Sequence, residues 1–160
     1  MPHQKLQAEL SKRLAGASNI VLLAVGSDLR GDDVAGLLVA EKLESKTSDK
    51  FHILIGGTAP ENLTGEIKRL KPSHLVIVDA ADMKAAPGTI QIISHQEIGG
   101  YSFSTHALPL KVMIDFILAD LPCEVIVATI QPKSVMFDEK VSAEIEQAAD
   151  RLAEELKKIL

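Results

Sequence analysis

The sequence predicts an α/β fold, a three-layer sandwich in which a twisted, mostly parallel five-stranded sheet carries helices on both faces. Two patterns support this class. Short aliphatic runs, such as IVLLAV at residues 20–25 and LVIV at residues 75–78, are typical of strands that are buried on both faces. Longer segments with apolar residues three or four positions apart alternate with these runs, and they indicate helices packed on a parallel sheet.

Each predicted strand is a short apolar run that ends at a glycine or a polar residue. The strands occupy residues 20–25, 51–55, 75–79, 89–93 and 124–130. The connection between the third and fourth strands contains Pro87 and Gly88 and is too short for a helical crossover. We therefore expect the fourth strand to run antiparallel to its neighbour in the sheet.

Five helices are predicted from apolar residues at helical spacing. They occupy residues 5–14, 34–43, 60–70, 107–121 and 139–160. A chain of 160 residues with 46% hydrophobic residues suits one compact domain with a substantial core. We expect a single domain over residues 1–160, in which residues 1–15 form an additional N-terminal helix.

The composition excludes several classes of protein. The formal net charge of -5 argues against a general nucleic-acid binder, which would need a basic surface. The single cysteine, Cys123, excludes an intramolecular disulfide and is expected to be a small buried apolar residue. No apolar run is long enough to span a bilayer, and the N-terminus is not signal-like, so no membrane insertion and a cytoplasmic location are expected.

The loop after the first strand reads GSDLRGDDVAG over residues 26–36. Gly26 and Gly31 have the spacing of a Walker-type phosphate loop, but Asp32 and Asp33 occupy the positions of its lysine and its hydroxyl residue. Two carboxylates would repel a phosphate. The dinucleotide fingerprint is absent as well, because Gly26, Gly31 and Gly36 are five positions apart. The loop therefore predicts no nucleotide cofactor, and it favours a cation.

Two interpretations of the aspartate pair remain open. Aspartate is favoured at helix N-caps, so Asp32 or Asp33 could cap the predicted helix that starts near Val34. Ligands of open α/β sheets bind beyond the carboxyl ends of the strands, and the other carboxylate would project there. Capping explains one aspartate well and two poorly.

Two further polar residues extend this candidate site. Asp79 ends the third predicted strand after four apolar residues, and His106 lies at the start of a predicted helix. A carboxylate that is hydrogen-bonded to loop amides is the alternative interpretation of Asp79. Two carboxylates and one imidazole suit nickel, zinc, iron or manganese, and three protein ligands leave positions open for water or a substrate group.

The remaining candidates are weaker. His3 lies in the N-terminal segment, while His52, His74 and His95 stand at strand margins, where a surface or edge-strand position is expected. Ser27 lies in the first loop, but the sequence has no G-x-S-x-G nucleophile motif. The residues alone therefore favour a metal site over a serine or cysteine nucleophile.

Six segments together resemble the hydrogenase maturation endopeptidases. They are GSDLRGDDVAG (residues 26–36), GGTAPEN (56–62), LVIVDA (75–80), PGTIQII (87–93), THALPL (105–110) and IQP (130–132). The combination is specific, although each segment alone is not. GGTAPEN and IQP are similar to the branch that serves hydrogenase 3, the formate-hydrogenlyase type.

The resemblance implies an endopeptidase that removes a short C-terminal extension from the large-subunit precursor of a [NiFe] hydrogenase after nickel insertion. It implies that Asp33, Asp79 and His106 are both the catalytic and the metal-binding residues, and that the nickel is carried by the precursor. Asp32 is then the candidate for the helix cap or for support of the ligand. A monomer is expected.

The resemblance also assigns Gly56, Gly57 and Thr58 to substrate binding. Three positions depart from the usual family pattern: Ser27, Val34 and Ile55. The family commonly has an aspartate where this chain has Ile55, so the recognition of the precursor is expected to differ in detail.

Two other functions remain open at this point. A maturation chaperone could bind the metal or the precursor without cleaving it. A nucleotide-binding module is supported only by the strand-loop-helix order around the first loop.

Overall fold

The protein is described by a computed structural model that covers residues 1–103 and 109–160. The helices are α1 (His3–Arg13), α2 (Ala35–Leu43), α3 (Thr64–Leu70), α4 (Leu110–Leu118) and α5 (Ala143–Lys157). The strands are β1 (Ile20–Val25), β2 (Phe51–Gly57), β3 (His74–Asp82), β4 (Ile90–Ser94), β5 (Ser102–Phe103) and β6 (Glu124–Ile130). Short 3₁₀ turns precede α2 at Gly31–Val34 and α3 at Pro60–Leu63.

Five strands form the main sheet in the order β2-β1-β3-β6-β4, and the two-residue β5 pairs antiparallel with the end of β3. β1, β2, β3 and β6 are parallel, and β4 runs antiparallel to β6. The predicted mostly parallel sheet with an antiparallel fourth strand is confirmed. The sixth strand, β5, was not predicted, because two residues are too few to show a strand pattern.

The two faces of the sheet bury two separate clusters of apolar side chains. Val76 and Val78 of β3 pack in the cluster formed with α1, α2 and α5. Leu75 and Ile77 pack in the cluster formed with α3 and α4. Alternate residues of the same strand therefore serve both helical layers, which explains why its sequence is apolar at every position.

The five predicted helices are confirmed, but several have different first and last residues. The predicted helix over residues 60–70 begins as a 3₁₀ turn, and the one over residues 139–160 begins only at Ala143. Ser142, the N-cap of α5, is held by hydrogen bonds to the first loop, so the residues before it follow that loop instead of the helix.

The N-terminal helix is part of the buried core. Leu6 and Leu10 of α1 are fully buried in the cluster that contains α2 and α5. His74 contradicts its sequence-based expectation, since it starts a central strand and is only 7% exposed. In the described part of the chain, no helix combines the length and the apolar character that crossing a bilayer requires.

One close approach positions the first loop. A Cβ atom on Gly36 would lie 2.3 Å from the Val78 carbonyl oxygen and 2.4 Å from the Val25 carbonyl oxygen. Only a glycine lets the first turn of α2 pack this closely against the carboxyl ends of β1 and β3. The preceding 3₁₀ turn, which contains both aspartates, is thereby held at this edge of the sheet.

Candidate active site at the carboxyl edge of the sheet

Two of the three predicted ligands lie at the carboxyl edge of the parallel strands. Asp33 stands in the loop that follows β1, and Asp79 stands near the end of β3. Both side chains are 0% exposed. The third predicted ligand, His106, lies outside the described residues. Because β1 and β3 are neighbouring parallel strands, the two carboxylates share one edge of the sheet.

The first loop folds back on itself at Gly26. Gly26 has φ +141, and a Cβ atom there would lie 2.0 Å from the Asp33 carbonyl oxygen. The next amide, Ser27 N–H, donates to the Asp33 carbonyl oxygen at 3.2 Å and to Asp33 Oδ2 at 3.0 Å. A glycine is therefore required at this turn. The Ser27 amide orients the Asp33 carboxylate.

Asp32 has a different structural role from Asp33. Its carboxylate, which is 2% exposed, accepts hydrogen bonds from the backbone of Lys133, Ser134 and Ser142 at 2.8, 3.3 and 2.7 Å. The Ser142 hydroxyl donates to the same carboxylate at 2.9 Å. Asp32 therefore ties the first loop to the segment that connects β6 with α5.

For Asp32, the predicted role as the helix cap near Val34 is wrong. Arg30 and Val34, the N-cap residues of the 3₁₀ turn and of α2, make no side-chain capping hydrogen bond within the part of the chain that the structure describes. Asp32 lies inside that turn, and its carboxylate bonds amides more than a hundred positions along the chain. The position of Asp32 in the sequence indicated a local helix cap, but the fold places the amides of residues 133–142 beside its carboxylate. Support of the neighbouring Asp33, the other role considered for Asp32, stays a prediction, because these hydrogen bonds reach residues 133–142.

The predicted substrate-binding residues lie beside the first loop. The β1–β2 register shifts so that Ala24 pairs with Ile55 and Val25 with Gly57, which leaves Gly56 as an extra residue. Gly57 has φ +58, and its carbonyl oxygen accepts from Gly26 N–H at 2.9 Å. The bulge thus brings the end of β2 against the loop of Asp33. Thr58 follows on the exposed surface.

Comparisons with known proteins decide the family. The family model described as HycI, hydrogenase maturation protease, matches residues 37–159. The hydrogenase 3 maturation protease of Escherichia coli K12 is 39% identical over 137 residues, covering 85% of this chain and 87% of the relative. The chain belongs to the hydrogenase maturation protease family.

Solved structures of this family agree with the fold. The crystal structure of the [NiFe] hydrogenase maturation protease HycI from Thermococcus kodakarensis has a TM-score of 0.88 at 34% identity and covers 95% of this chain and 98% of that one. The solution structure of the endopeptidase HycI from Escherichia coli has a TM-score of 0.76 at 39% identity and covers 85% and 87%. The chain is an endopeptidase of this family, and the resemblance to the hydrogenase 3 branch is confirmed.

In this maturation protease, Gln131 has a structural role that the sequence did not predict. Its Oε1 accepts from the amides of Met83 at 2.6 Å and Ala85 at 3.4 Å, and its Nε2 donates to Asp82 Oδ1 at 3.3 Å. Hydrogen bonds from the Lys84 backbone and side chain, and then from Gln131, lower the pKa of the Asp82 carboxyl. The IQP segment was the available signal: its glutamine fixes the chain that leaves β3.

The described residues do not contain a complete metal site. Within residues 1–103 and 109–160, no group of three histidine, cysteine, aspartate or glutamate side chains could hold a metal ion. The set of Asp33, Asp79 and His106 includes a residue outside these ranges. Its role in the maturation protease therefore stays a prediction, as does the alternative that loop amides hold Asp79.

Three exposed apolar side chains lie on the first loop and on the loop that is hydrogen-bonded to it. Leu29, Met136 and Phe137 are 60%, 65% and 70% exposed. The two loops that carry them are joined, because Asp138 N–H donates to the Leu29 carbonyl oxygen at 2.8 Å. Apolar side chains this exposed on neighbouring loops are typical of a surface that contacts another macromolecule.

Proposed function

We propose that this endopeptidase removes the C-terminal extension from the nickel-loaded large-subunit precursor of a [NiFe] hydrogenase. The observation that carries the proposal is the pair of fully buried carboxylates, Asp33 and Asp79, at one sheet edge of a hydrogenase maturation protease fold. Buried carboxylates are costly unless they are hydrogen-bonded, paired or bound to a metal. Their shared edge is where open α/β sheets bind their ligands.

Nickel enters this proposal as part of the substrate. Asp33, Asp79 and His106 would supply two oxygens and one nitrogen, a donor set that suits a divalent first-row metal. A precursor without nickel would offer these ligands nothing to coordinate. The donor set would therefore select a precursor whose metal site is already filled.

The proposed reaction is hydrolysis of one peptide bond. Water adds to the scissile carbonyl carbon, the C–N bond breaks, and the extension leaves with a new amino terminus. A bound metal can polarise that carbonyl or activate the water. The chain would orient the metal through Asp33, whose carboxylate is held by the Ser27 amide.

The exposed loops favour a folded protein as the substrate. Leu29 on the loop of Asp33, and Met136 and Phe137 on the loop joined to it, are exposed and would contact the surface of the precursor. Such a reaction needs neither a nucleotide nor nucleic acid. We place it in the cytoplasm and assign it to the monomer.

Incubation with purified nickel-loaded precursor tests the proposal. The wild-type chain should shorten the precursor by the mass of one C-terminal peptide, as measured by intact-protein mass spectrometry. Asp33→Asn, Asp79→Asn and His106→Ala should each abolish the mass change, because the first two remove an anionic carboxylate and the third removes the imidazole. Asp28→Asn is the matched control, since Asp28 is an exposed acid in the same loop and should leave processing intact.

Two results would contradict the proposal. Unchanged cleavage by Asp33→Asn and His106→Ala would show that these residues do not form the metal-recognition site. Equal cleavage of precursor with and without nickel would show that nickel plays no part in recognition. Precursor binding without any mass change would instead favour the non-cleaving chaperone.

A further inference from the structure

The two outer edges of the main sheet differ in how they are covered. At one edge, α1 and the 3₁₀ turn His95–Gly100 pack against β4, and the Tyr101 hydroxyl donates to the Gln91 side chain of that strand at 2.9 Å. At the other edge, no described strand pairs with β2 on the side away from β1. Ile55 of β2 is 58% exposed. An uncovered edge strand offers backbone groups to another extended chain.

The β1–β2 ladder identifies the residues that face outward. Ile20 N–H donates to the Lys50 carbonyl oxygen at 2.9 Å. In a parallel ladder, alternate residues of each strand bond a given neighbour, so the even-numbered residues of β2 face β1. The backbone N–H and C=O groups of Ile53 and Ile55 therefore point to the open side. Phe51 is closed off, because it exchanges backbone hydrogen bonds with Ser48 at 3.0 and 3.3 Å.

This open edge leads directly to the candidate active site. β2 ends at Gly57, whose carbonyl oxygen bonds Gly26 in the loop of Asp33. An open groove lined by Ile53, Leu54, Glu66 and Arg69 lies along the strand. A strand advances about 3.3 Å per residue, so a peptide leaving the site would reach Ile53 within about four or five residues.

We infer that the C-terminal extension of the precursor binds as an added β-strand along the open edge of β2, with hydrogen bonds to Ile53 and Ile55. The extension starts at the scissile bond, next to the carboxyl end of β2, and runs toward its amino end. It is therefore antiparallel to β2, as β4 is to β6 at the opposite edge. This mode uses backbone groups, so it accepts an extended peptide of varied sequence. The inference rests on the proposed function.

Amide hydrogen exchange on the wild-type protein tests the binding mode. A synthetic peptide with the sequence of the extension should slow exchange at Ile53 and Ile55. His52 and Leu54 are the internal control, because their amides already face β1 and should change little. Unchanged exchange at Ile53 and Ile55 at millimolar peptide overturns the inference. The inference is also overturned if, without peptide, exchange at these amides slows as the protein concentration rises. The edge is then occupied by a second copy of the chain.

A proline substitution tests the same contact kinetically. Ile53→Pro removes the outward N–H, which an edge strand tolerates, and should raise KM for the nickel-loaded precursor about fivefold. Ile53→Ala is the matched control, because it loses the side chain and keeps the N–H. With a precursor whose extension is shortened to about three residues, which cannot reach Ile53, the two variants should have equal KM.

The outcomes separate this inference from the proposed function. If the wild type cleaves the precursor and the two variants have equal KM for the full-length extension, the added strand is overturned and the proposed function is not. No cleavage by the wild type overturns the proposed function, while the exchange experiment still decides the binding mode. The exchange experiment also decides it if Ile53→Pro does not fold.

Discussion

The two ends of strand β3 both carry buried polar side chains, but in different surroundings. At the amino end, His74 is 7% exposed, and its Nδ1 lies 2.9 Å from the Ser73 hydroxyl. That hydroxyl also accepts from the amides of Ser18 and Asn19 and donates to the Asn19 carbonyl oxygen. At the carboxyl end, Asp79 lies at the edge where loops from four parallel strands converge.

The difference shows that burial of a polar residue does not by itself identify a site. The network around Ser73 consists of hydrogen bonds to backbone groups and to one imidazole, and it joins the start of β1 to the start of β3. The carboxyl edge instead collects acidic side chains from separate segments of the chain, Asp32, Asp33 and Asp79. Burying several acidic side chains at one edge of the sheet costs folding free energy. This cost favours a functional reason for their presence there.

The largest loss of stability is expected from a substitution at Gly36, where the first turn of α2 packs closely against β1 and β3. Gly36→Ala places a methyl group within 2.4 Å of two backbone oxygens, so it should destabilise the protein by about 3 kcal/mol or more. Gly65→Ala in α3 is the matched control: among the described residues, no atom beyond its chain neighbours and its own helix backbone lies within 4 Å of its Cβ position, so it should be neutral or stabilising by up to about 1 kcal/mol. Urea unfolding measures both. Equal effects would show that α2 does not depend on this close approach.

A slightly smaller effect is expected from Asp32→Ala. It leaves four donors from Lys133, Ser134 and Ser142 without their buried acceptor, at a cost of about 3 kcal/mol. Asp33→Asn should lose processing instead, with a smaller loss of stability. Unfolding free energy and precursor cleavage, measured on both variants, separate the two roles. Reversed results would mean that Asp33 is the structural residue of the pair.

Ser73→Ala probes the opposite end of β3. It removes a hydroxyl that bonds Ser18, Asn19 and His74, so it should lower the unfolding free energy by about 1 to 2 kcal/mol. Precursor cleavage by the folded variant should match that of the wild type. A loss of cleavage without a loss of stability would mean that this end of the sheet takes part in function.

The smallest effect concerns Cys123, just before the amino end of β6. The sequence predicted a buried residue, and the structure shows it half-buried. Burial, and then the charge of Glu124, raise the pKa of the thiol, so the reactive thiolate is scarce at neutral pH. Alkylation by iodoacetamide at pH 8 should be slower than that of free cysteine and should accelerate as the pH rises. Rapid alkylation at pH 7 would indicate a reactive thiol.

The sequence by itself determined the class of fold and the order of its elements. Apolar runs such as residues 75–78 can only be buried strands in a chain of this composition, and the short link through Pro87 and Gly88 required a strand that reverses direction. The sequence also placed Asp33 in the loop after the first strand and Asp79 directly after an apolar run, and both positions predict the carboxyl edge of the sheet. Local patterns are sufficient for such features.

Only the tertiary structure decided which partners the polar residues meet. Asp32 bonds the backbone of residues 133–142, and Gln131 holds the chain that leaves β3. His74, expected at a surface or edge-strand position, is buried at the amino end of a central strand. The contacts of Asp32 and Gln131 join segments that are 46 to 110 positions apart. No local pattern encodes them, since they depend on which strands become neighbours and how closely the helices pack on them.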